Sequence, residues 1–172
     1  MNQVRRTMSR VLLGVSVAIL ATFSSCASFP ENPGNNTGAL LLMLDSKDVT
    51  SENYSVLMVA DVESGAIIVQ KRVPSSRSFM VIQDLTEGEY FIQGRRYFHG
   101  GEEYSPREFQ HSFTAFTIKP DTLTLFPEHI EQKNGSVRMQ YHLDHIVLQE
   151  FHTLKEAYPR EIGSWQIHLE ED

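Results

Sequence analysis

The fold is decided by Ser78-Phe-Met-Val-Ile-Gln-Asp-Leu-Thr-Glu-Gly-Glu-Tyr-Phe-Ile-Gln-Gly94, a stretch near the middle of the chain. Apolar and β-branched residues on both sides of Leu85-Thr-Glu-Gly88 indicate two strands. The four residues between them are typical of a tight turn, in which Gly88 is available for a positive φ. Because Tyr90 and Ile92 are two residues apart, we expect both on one face of the second strand. The stretch therefore predicts a hairpin.

The same residues resemble a known signature. Leu85, Gly88 and Tyr90 reproduce the Leu-x-x-Gly-x-Tyr pattern of prealbumin-like, carboxypeptidase-regulatory-like β-sandwich modules, although Thr86 stands where those modules often have Pro. The resemblance extends from about residue 38 to residue 126. It implies a mainly β domain built as an antiparallel β-sandwich. It implies little about activity, because such modules serve as binding, scaffolding and accessory domains.

Further strands are predicted on both sides of this stretch. Leu40-Leu-Leu-Met-Leu44 is a continuous apolar run, which is typical of a strand buried on both faces. The β-rich runs 53–61 and 66–73 are separated by Glu63-Ser-Gly65, and this spacing predicts a hairpin. A turn at residues 119–122 leads into another short strand that ends before Pro127.

The C-terminal region combines a strand, a helix and a last strand. After the turn dipeptide Asn134-Gly135, apolar residues alternate from Val137 to Leu143. The apolar period then lengthens to that of a helix over about 145–158, which Asp144 could cap and Pro159 would end. The positions of its stripe are Val147, Phe151, Leu154 and Tyr158. Alternating apolar residues from Trp165 to Leu169 predict a short final strand.

The N-terminus has the order of a secretory signal. Three arginines and no acidic residue precede the apolar run Val11–Phe23, which is followed by Ser24-Ser25-Cys26. At 1.5 Å per residue the run covers about 20 Å, less than the ~30 Å of a hydrocarbon core. We therefore expect residues 1–25 to be a removable signal peptide and not a membrane span.

Phe23-Ser24-Ser25-Cys26 resembles the lipobox of bacterial lipoproteins, with Phe23 where Leu is commoner. The resemblance implies a diacylglyceryl thioether on Cys26 and cleavage before this residue. The mature protein would then be attached to the cell membrane by its acyl chains. Ala27 resembles the sorting pattern for the outer membrane in a cell with two membranes. The alternative is ordinary signal cleavage near Ser25, which leaves a free thiol.

A tether and a single domain follow Cys26. The segment 27–38 contains two prolines, two glycines and three asparagines, a composition that predicts a flexible linker. We therefore expect a lipidated tether over 26–38, with a reach of roughly 20 Å, and a β-sandwich domain with its C-terminal helix over 39–172. Cys26 is the single cysteine of the chain, so the domain has no disulfide.

The net charge of the chain bears on which partners the protein can bind. The chain has a formal net charge of -7, with 15 basic and 22 acidic residues. Because the predicted signal holds three of the basic residues and none of the acidic ones, the mature chain would carry -10. An acidic domain is repelled on average by nucleic acid and by anionic membrane surfaces. We expect no nucleic-acid partner, and membrane attachment through the lipid on Cys26.

The sequence offers few groups for catalysis or metal binding. His142, His145 and His152 form the densest histidine group, but no spacing in it fixes a set of ligands. There is no Gly-x-Ser-x-Gly or Ser-x-x-Lys sequence, and Glu102-Glu103 are typical of a solvated loop. We predict no enzyme activity, no cofactor and no metal. A carrier of a small ligand or a metal that uses the histidines is the alternative.

One basic concentration stands out in this acidic chain. Arg95 and Arg96, together with Lys71, Arg72 and Arg77, would form an anion-binding or partner-binding face if the strands at 66–73 and 90–98 share a sheet. Polar positions at strand ends are the simpler alternative. We predict a lipid-anchored, non-catalytic lipoprotein that presents a β-sandwich surface to an envelope protein or a cell-wall component. Arg95 and Arg96 are its expected contact residues.

Overall fold

The computed structural model describes residues 29–47, 54–74, 77–100, 102–104, 115–133, 136–140 and 146–169. The signal peptide and Cys26 lie outside these residues. Within them the predicted mainly β class is confirmed. The elements in chain order are β1 (Gly38–Lys47), β2 (Tyr54–Asp61), β3 (Ile67–Arg72), β4 (Phe79–Leu85), β5 (Gly88–His99), β6 (Glu102–Tyr104), β7 (Ala115–Ile118), β8 (Thr122–Lys133), β9 (Ser136–Gln140), α1 (Leu148–Ala157), α2 (Pro159–Gly163) and β10 (Gln166–Leu169).

Sheet 1 is a mixed sheet with the strand order β10-β8-β1-β4, and β9 also pairs with β8. β1 is antiparallel to β4 but parallel to β8, and β10 is parallel to β8 as well. The prediction of a purely antiparallel sheet is therefore wrong for these two pairings. Parallel neighbours need a long crossover connection. Here the chain between β1 and β8 forms β4 of this sheet and the strands of the second sheet. Residue patterns within single strands do not reveal such an order.

Sheet 2 is antiparallel in every described pairing. Its order is β3-β2-β5-β6, and β7 also pairs with β5. The predicted hairpin at 63–65 is confirmed as the connection between β2 and β3. The backbone N–H of Ser64 donates to Asp61 Oδ1 at 2.7 Å, and the Ser64 hydroxyl donates to the same oxygen. These bonds, the hydroxyl's first, hold the pKa of the Asp61 carboxyl below its usual value.

The turn at 85–88 differs from its prediction, because it is not a hairpin turn. β4 lies in sheet 1 and β5 in sheet 2, so the turn carries the chain from one sheet to the other. The positive φ falls on Asp84, at 60°, and not on Gly88. A Cβ at Gly88 would lie 3.4 Å from the Tyr90 ring, which is an ordinary van der Waals contact. The Tyr90 hydroxyl donates to the Thr86 carbonyl at 2.9 Å.

β8 is longer than predicted, because it continues through Pro127 to Lys133. The pairing with β1 shows why proline is tolerated there. Leu41 pairs with Leu125 but Met43 pairs with His129, so the register shifts across this part of β8. Proline has no N–H to donate to a ladder and is found at edges and irregularities. The proline therefore occupies an irregularity and does not end the strand.

A buried cluster contains side chains from both sheets. Sheet 1 contributes residues of β1, β4 and β8, and sheet 2 contributes residues of β2, β5 and β7. The predicted positions Tyr90 and Ile92 are both in it, as are Phe116 and Phe126, whose rings meet edge to face at 5.6 Å between centroids. The other members include Leu40, Leu42, Leu44, Leu57, Val59, Met80, Ile82, Leu85, Ile118 and Ile130.

A second cluster covers the other face of sheet 1. The alternate residues of β1 pack there against the C-terminal helices and against Phe29. The predicted helical stripe is confirmed, since Val147, Phe151 and Leu154 are buried and Tyr158 packs against them. The helix is shorter than predicted, and Asp144 lies outside the described residues. α2 was not predicted: Pro159 ends α1, but it also occupies the first turn of α2, where its missing N–H costs nothing.

Neither α1 nor α2 has the length and apolar character that a membrane span requires.

Candidate functional site

Residues 29–37, which we call the N-terminal segment, are held against the domain. Phe29 is only 1% exposed and belongs to the cluster beneath the C-terminal helices. Its ring centroid lies 5.5 Å from that of Phe79 on β4 and 5.9 Å from that of Tyr158 at the end of α1. Burying a phenylalanine side chain contributes about 1.5–3 kcal/mol. Phe29 is therefore part of the core.

Hydrogen bonds extend this attachment along the segment. The indole Nε1 of Trp165 donates to the Pro30 carbonyl at 3.0 Å, and the Asn32 backbone N–H donates to the Ser164 hydroxyl at 2.9 Å. Arg160 pairs with Glu31 at 3.2 Å, but both side chains are exposed, and such pairs contribute little. The described part of the predicted tether is thus docked. A composition rich in Pro, Gly and Asn excludes regular structure, but it does not exclude bonding to other elements.

The docking sets an upper limit on the distance between the domain and Cys26. Cys26 is three residues before Phe29, and a chain extends at most about 3.6 Å per residue. Whatever conformation the intervening residues adopt, the Cα atom of Cys26 is within about 11 Å of that of Phe29. The sequence alone predicted a reach of roughly 20 Å for the tether. A lipid on Cys26 would therefore hold the domain close to the membrane and restrict its orientation.

A cleft of about 390 Å³ opens beside the N-terminal segment, between β3 of sheet 2 and β4 of sheet 1. We call it the cationic cleft. Among its described lining residues, three are basic and none is acidic. The lining consists of Pro30, Lys71, Arg72, Pro74, Arg77, Phe79, Met80, Val81 and Gln83.

The three cations of the cleft are positioned in different ways. Lys71 reaches from β3 to β4, where its Nζ donates to the Val81 carbonyl at 2.8 Å. The Arg72 guanidinium lies over the Tyr54 ring, with Cζ 3.8 Å from the ring centroid, which is a cation–π geometry. Arg77 is exposed just before β4 begins. Two of the cations are therefore oriented by contacts within the protein, and the third is presented to solvent.

Arg95 and Arg96 lie on β5, where their backbones pair with Leu57 and Val56 of β2. On the other edge of β2, the same two residues pair with Lys71 and Arg72. The sequence prediction required the strands at 66–73 and 90–98 to share a sheet. This condition is confirmed, since β3 and β5 both belong to sheet 2. The structure describes the backbones of Arg95 and Arg96 but not their side chains, so their role in binding remains a prediction.

The histidines are not gathered in the described residues. His129 Nε2 on β8 lies 3.2 Å from Glu150 Oε2 on α1, and His152 is exposed on α1. His142 and His145 lie outside the described residues. Within the ranges that the structure describes, no three His, Cys, Asp or Glu side chains are close enough to hold a metal ion. The alternative of a histidine-based carrier stays a hypothesis.

The sequence identified Lys71, Arg72 and Arg77 as a basic group, but it did not predict which other residues line the cleft. Pro30 was assigned to the tether and Phe79 to a strand, and nothing in their spacing shows that they meet. The signal that could have been read is Phe29, an aromatic residue in an otherwise polar linker.

Comparisons with known protein families and with curated proteins found no match.

Proposed function

We propose that this chain is a lipid-anchored, non-catalytic lipoprotein of the cell envelope. Its domain presents a binding surface to an envelope protein or a cell-wall component. The signal-like N-terminus and Cys26 support the anchor. The docked N-terminal segment is the observation that carries the proposal. Because it keeps Cys26 close to the domain, an anchor at Cys26 would decide which surfaces of the domain face the membrane.

The fold belongs to the same proposal. We infer that the two sheets pack face to face as a prealbumin-like β-sandwich. The cluster of buried residues drawn from both sheets supports this arrangement, as does the crossing of the chain between sheets at residues 85–88. The parallel pairings of β8 are a departure from an antiparallel sandwich.

Close attachment separates this protein from one on a long flexible tether. With about 11 Å of chain between Phe29 and Cys26, the end of the domain that holds Phe29 must lie near the membrane surface. The domain would then sample few orientations. A surface on that end can meet membrane components, and a surface on the opposite end can meet partners further from the bilayer.

The anchor is tested by the mass of the mature protein. We expect the purified protein to begin at Cys26 and to carry the added mass of a diacylglyceryl group and an amide-linked acyl chain. The variant Cys26→Ala should lose the added mass and leave the membrane fraction or remain uncleaved. A wild-type protein that starts at another residue, or that lacks acyl mass, would refute the proposal.

The binding surface is tested by cross-linking in intact cells. A photoreactive amino acid replaces Gln83 in the cationic cleft, and in a matched strain it replaces Lys155 on the exposed side of α1. We expect a discrete adduct from position 83 and none from position 155. Equal labelling from both positions, or none from either, would contradict a binding surface at the cleft.

A further inference from the structure

We propose that the cationic cleft binds a phosphate-bearing anion. The inference deepens the proposed function and rests on it, because it names the chemistry that the surface recognises. The argument depends on where the cleft lies, on the charges around it, and on the character of its walls.

The cleft lies between two sheet edges. Among the described strands, β3 pairs only with β2, and β4 pairs only with β1. The free edges of the two strands border the cleft, and Lys71 bridges them through the Val81 carbonyl. An ammonium group has three N–H donors, and this bond uses one. Lys71 is thus fixed in place with donors left to direct at a ligand.

The charge of the cleft is opposite to that of the protein. The chain has 22 acidic and 15 basic residues, yet the lining residues that the structure describes include three cations and no acid. Charges of one sign around a concave surface with apolar walls focus the electrostatic potential. A small anion is therefore attracted into the cleft, even though the rest of the molecule repels it.

Two features favour phosphate over a simple carboxylate or chloride. Arg77 is exposed beside the cleft, and the planar fork of donors of a guanidinium matches the oxygens of phosphate. Lys71 adds a second cation with further donors, which suits an anion with several charged oxygens.

The walls indicate that the phosphate carries an organic group. The cleft volume of about 390 Å³ lies within the range of small-molecule sites and exceeds the needs of inorganic phosphate. Pro30, Pro74, Phe79 and Met80 supply apolar surface beside the cations. A phosphate ester of a small organic group has this combination of charge and carbon, and glycerol 3-phosphate is a soluble probe of that class.

Such an ester has two sources, a lipid headgroup or a molecule in solution. Pro30 lines the cleft and is four residues from Cys26, so the two Cα atoms are at most about 14 Å apart. A lipidated Cys26 would bring the cleft close to the headgroup layer. The recognition chemistry is the same for both sources, and the experiment separates them.

The first measurement is calorimetric titration of the lipidated protein in non-ionic detergent with glycerol 3-phosphate. We expect one site, with an affinity that falls as salt is added. Arg77→Gln should weaken binding about tenfold or more, since it removes a charge-assisted contact from an exposed residue. Lys155→Gln, which removes the same charge from α1, should bind like the wild type. Thermal unfolding of each variant verifies that it folds.

The second measurement repeats the titration in nanodiscs of phosphatidylglycerol and of phosphatidylcholine. If the headgroup is the natural source, phosphatidylglycerol should compete and reduce the apparent affinity for glycerol 3-phosphate. Equal affinity in both nanodiscs assigns the site to a soluble ester. The proposal is overturned if no binding occurs in detergent, or if Lys155→Gln weakens binding as much as Arg77→Gln.

The N-terminal mass is recorded on the same preparation, so the two proposals can fail separately. Phosphate binding without acyl mass would refute the anchor and leave the cleft site intact. Acyl mass without phosphate binding would refute the cleft site and leave the anchor intact.

Discussion

The two sheets differ in how the face away from their shared cluster, which we call the outer face, is covered. In sheet 1, α1, α2 and Phe29 cover this face, so β1 is buried from Ala39 to Leu44. In sheet 2, β3 exposes Ile68, at 51%, on the face opposite to that of Val69, which packs against the shared cluster. β1 is apolar from Ala39 to Leu44, and β3 begins with Ile67-Ile-Val69. The difference teaches that an apolar strand reports burial only when something is available to cover its second face.

The cover of sheet 1 comes from the two ends of the described chain. The N-terminal segment and the C-terminal helices meet there, joined by the bond from Trp165 to the Pro30 carbonyl. Sheet 2 has no such cover in the described residues. Substitutions on the two outer faces should therefore differ in cost, and the predictions that follow run from the largest expected effect to the smallest.

Phe29→Ala should have the largest effect. It removes a ring that is 1% exposed, and Phe-to-Ala changes in cores cost about 3–5 kcal/mol. Urea denaturation measures the loss, and Val62→Ala on the exposed β2–β3 turn is the matched control. A loss no larger than that of the control would mean that the N-terminal segment is a free tether, as its composition suggests.

Leu41→Ala tests whether the side chains that cover sheet 1 are as close-packed as the cluster that both sheets share. Leu41 belongs to the outer cluster and Leu42 to the shared one, and both are 0% exposed. Each change to Ala should cost about 2–5 kcal/mol. We expect similar losses in urea denaturation. If Leu41→Ala costs much less than Leu42→Ala, the cover is loosely packed.

Gly38→Ala examines the place where the N-terminal segment enters sheet 1. A Cβ at this position would lie 2.4 Å from the Lys119 carbonyl oxygen and 2.7 Å from Ile118 Cγ2. The backbone must shift to relieve this overlap, and overpacking costs about 1–3 kcal/mol. Gly163→Ala is the control, since a Cβ there meets nothing within 4 Å. Equal melting temperatures for the two variants would contradict the close approach.

Trp165→Phe removes the hydrogen bond that joins the two ends of the cover while retaining most of the ring. The Pro30 carbonyl then loses its donor at 3.0 Å, and a hydrogen bond of this kind contributes about 0.5–1.5 kcal/mol. Urea denaturation should show a loss in this range. Ser164→Ala, which removes the acceptor of the Asn32 backbone N–H, should cost a similar or smaller amount. A larger loss for Trp165→Phe would mean that packing of the indole dominates.

Much of sheet 2 follows from local sequence, because its hairpin depends on neighbouring residues. The turn 63–65 and the pairing of β2 with β3 were predictable for this reason. The helical stripe from Val147 to Tyr158 was predictable too, since periodicity is a local property. The docking of Phe29 and the parallel pairing of β1 with β8 were not, because they join residues far apart in the chain.

The candidate site divides in the same way. Its cations were visible as a concentration of Lys71, Arg72 and Arg77 in an acidic chain. The cleft itself depends on β3 and β4 lying at the edges of different sheets, with Pro30 brought beside them. No pattern within one strand contains that information. Charge composition thus identified the cations that line the cleft, although Arg95 and Arg96 were the expected contact residues, and tertiary packing supplied the shape.

Ile68→Thr should have the smallest effect. Ile68 is 51% exposed on β3, and threonine keeps the β-branched shape that suits a strand. Surface changes of this type stay within about 0.5 kcal/mol. Urea denaturation at two protein concentrations measures the change, with Ile82→Thr in the shared cluster as a control that should be strongly destabilised. A large, concentration-dependent loss for Ile68→Thr would mean that a second molecule covers sheet 2, and the contrast between the two outer faces would then disappear.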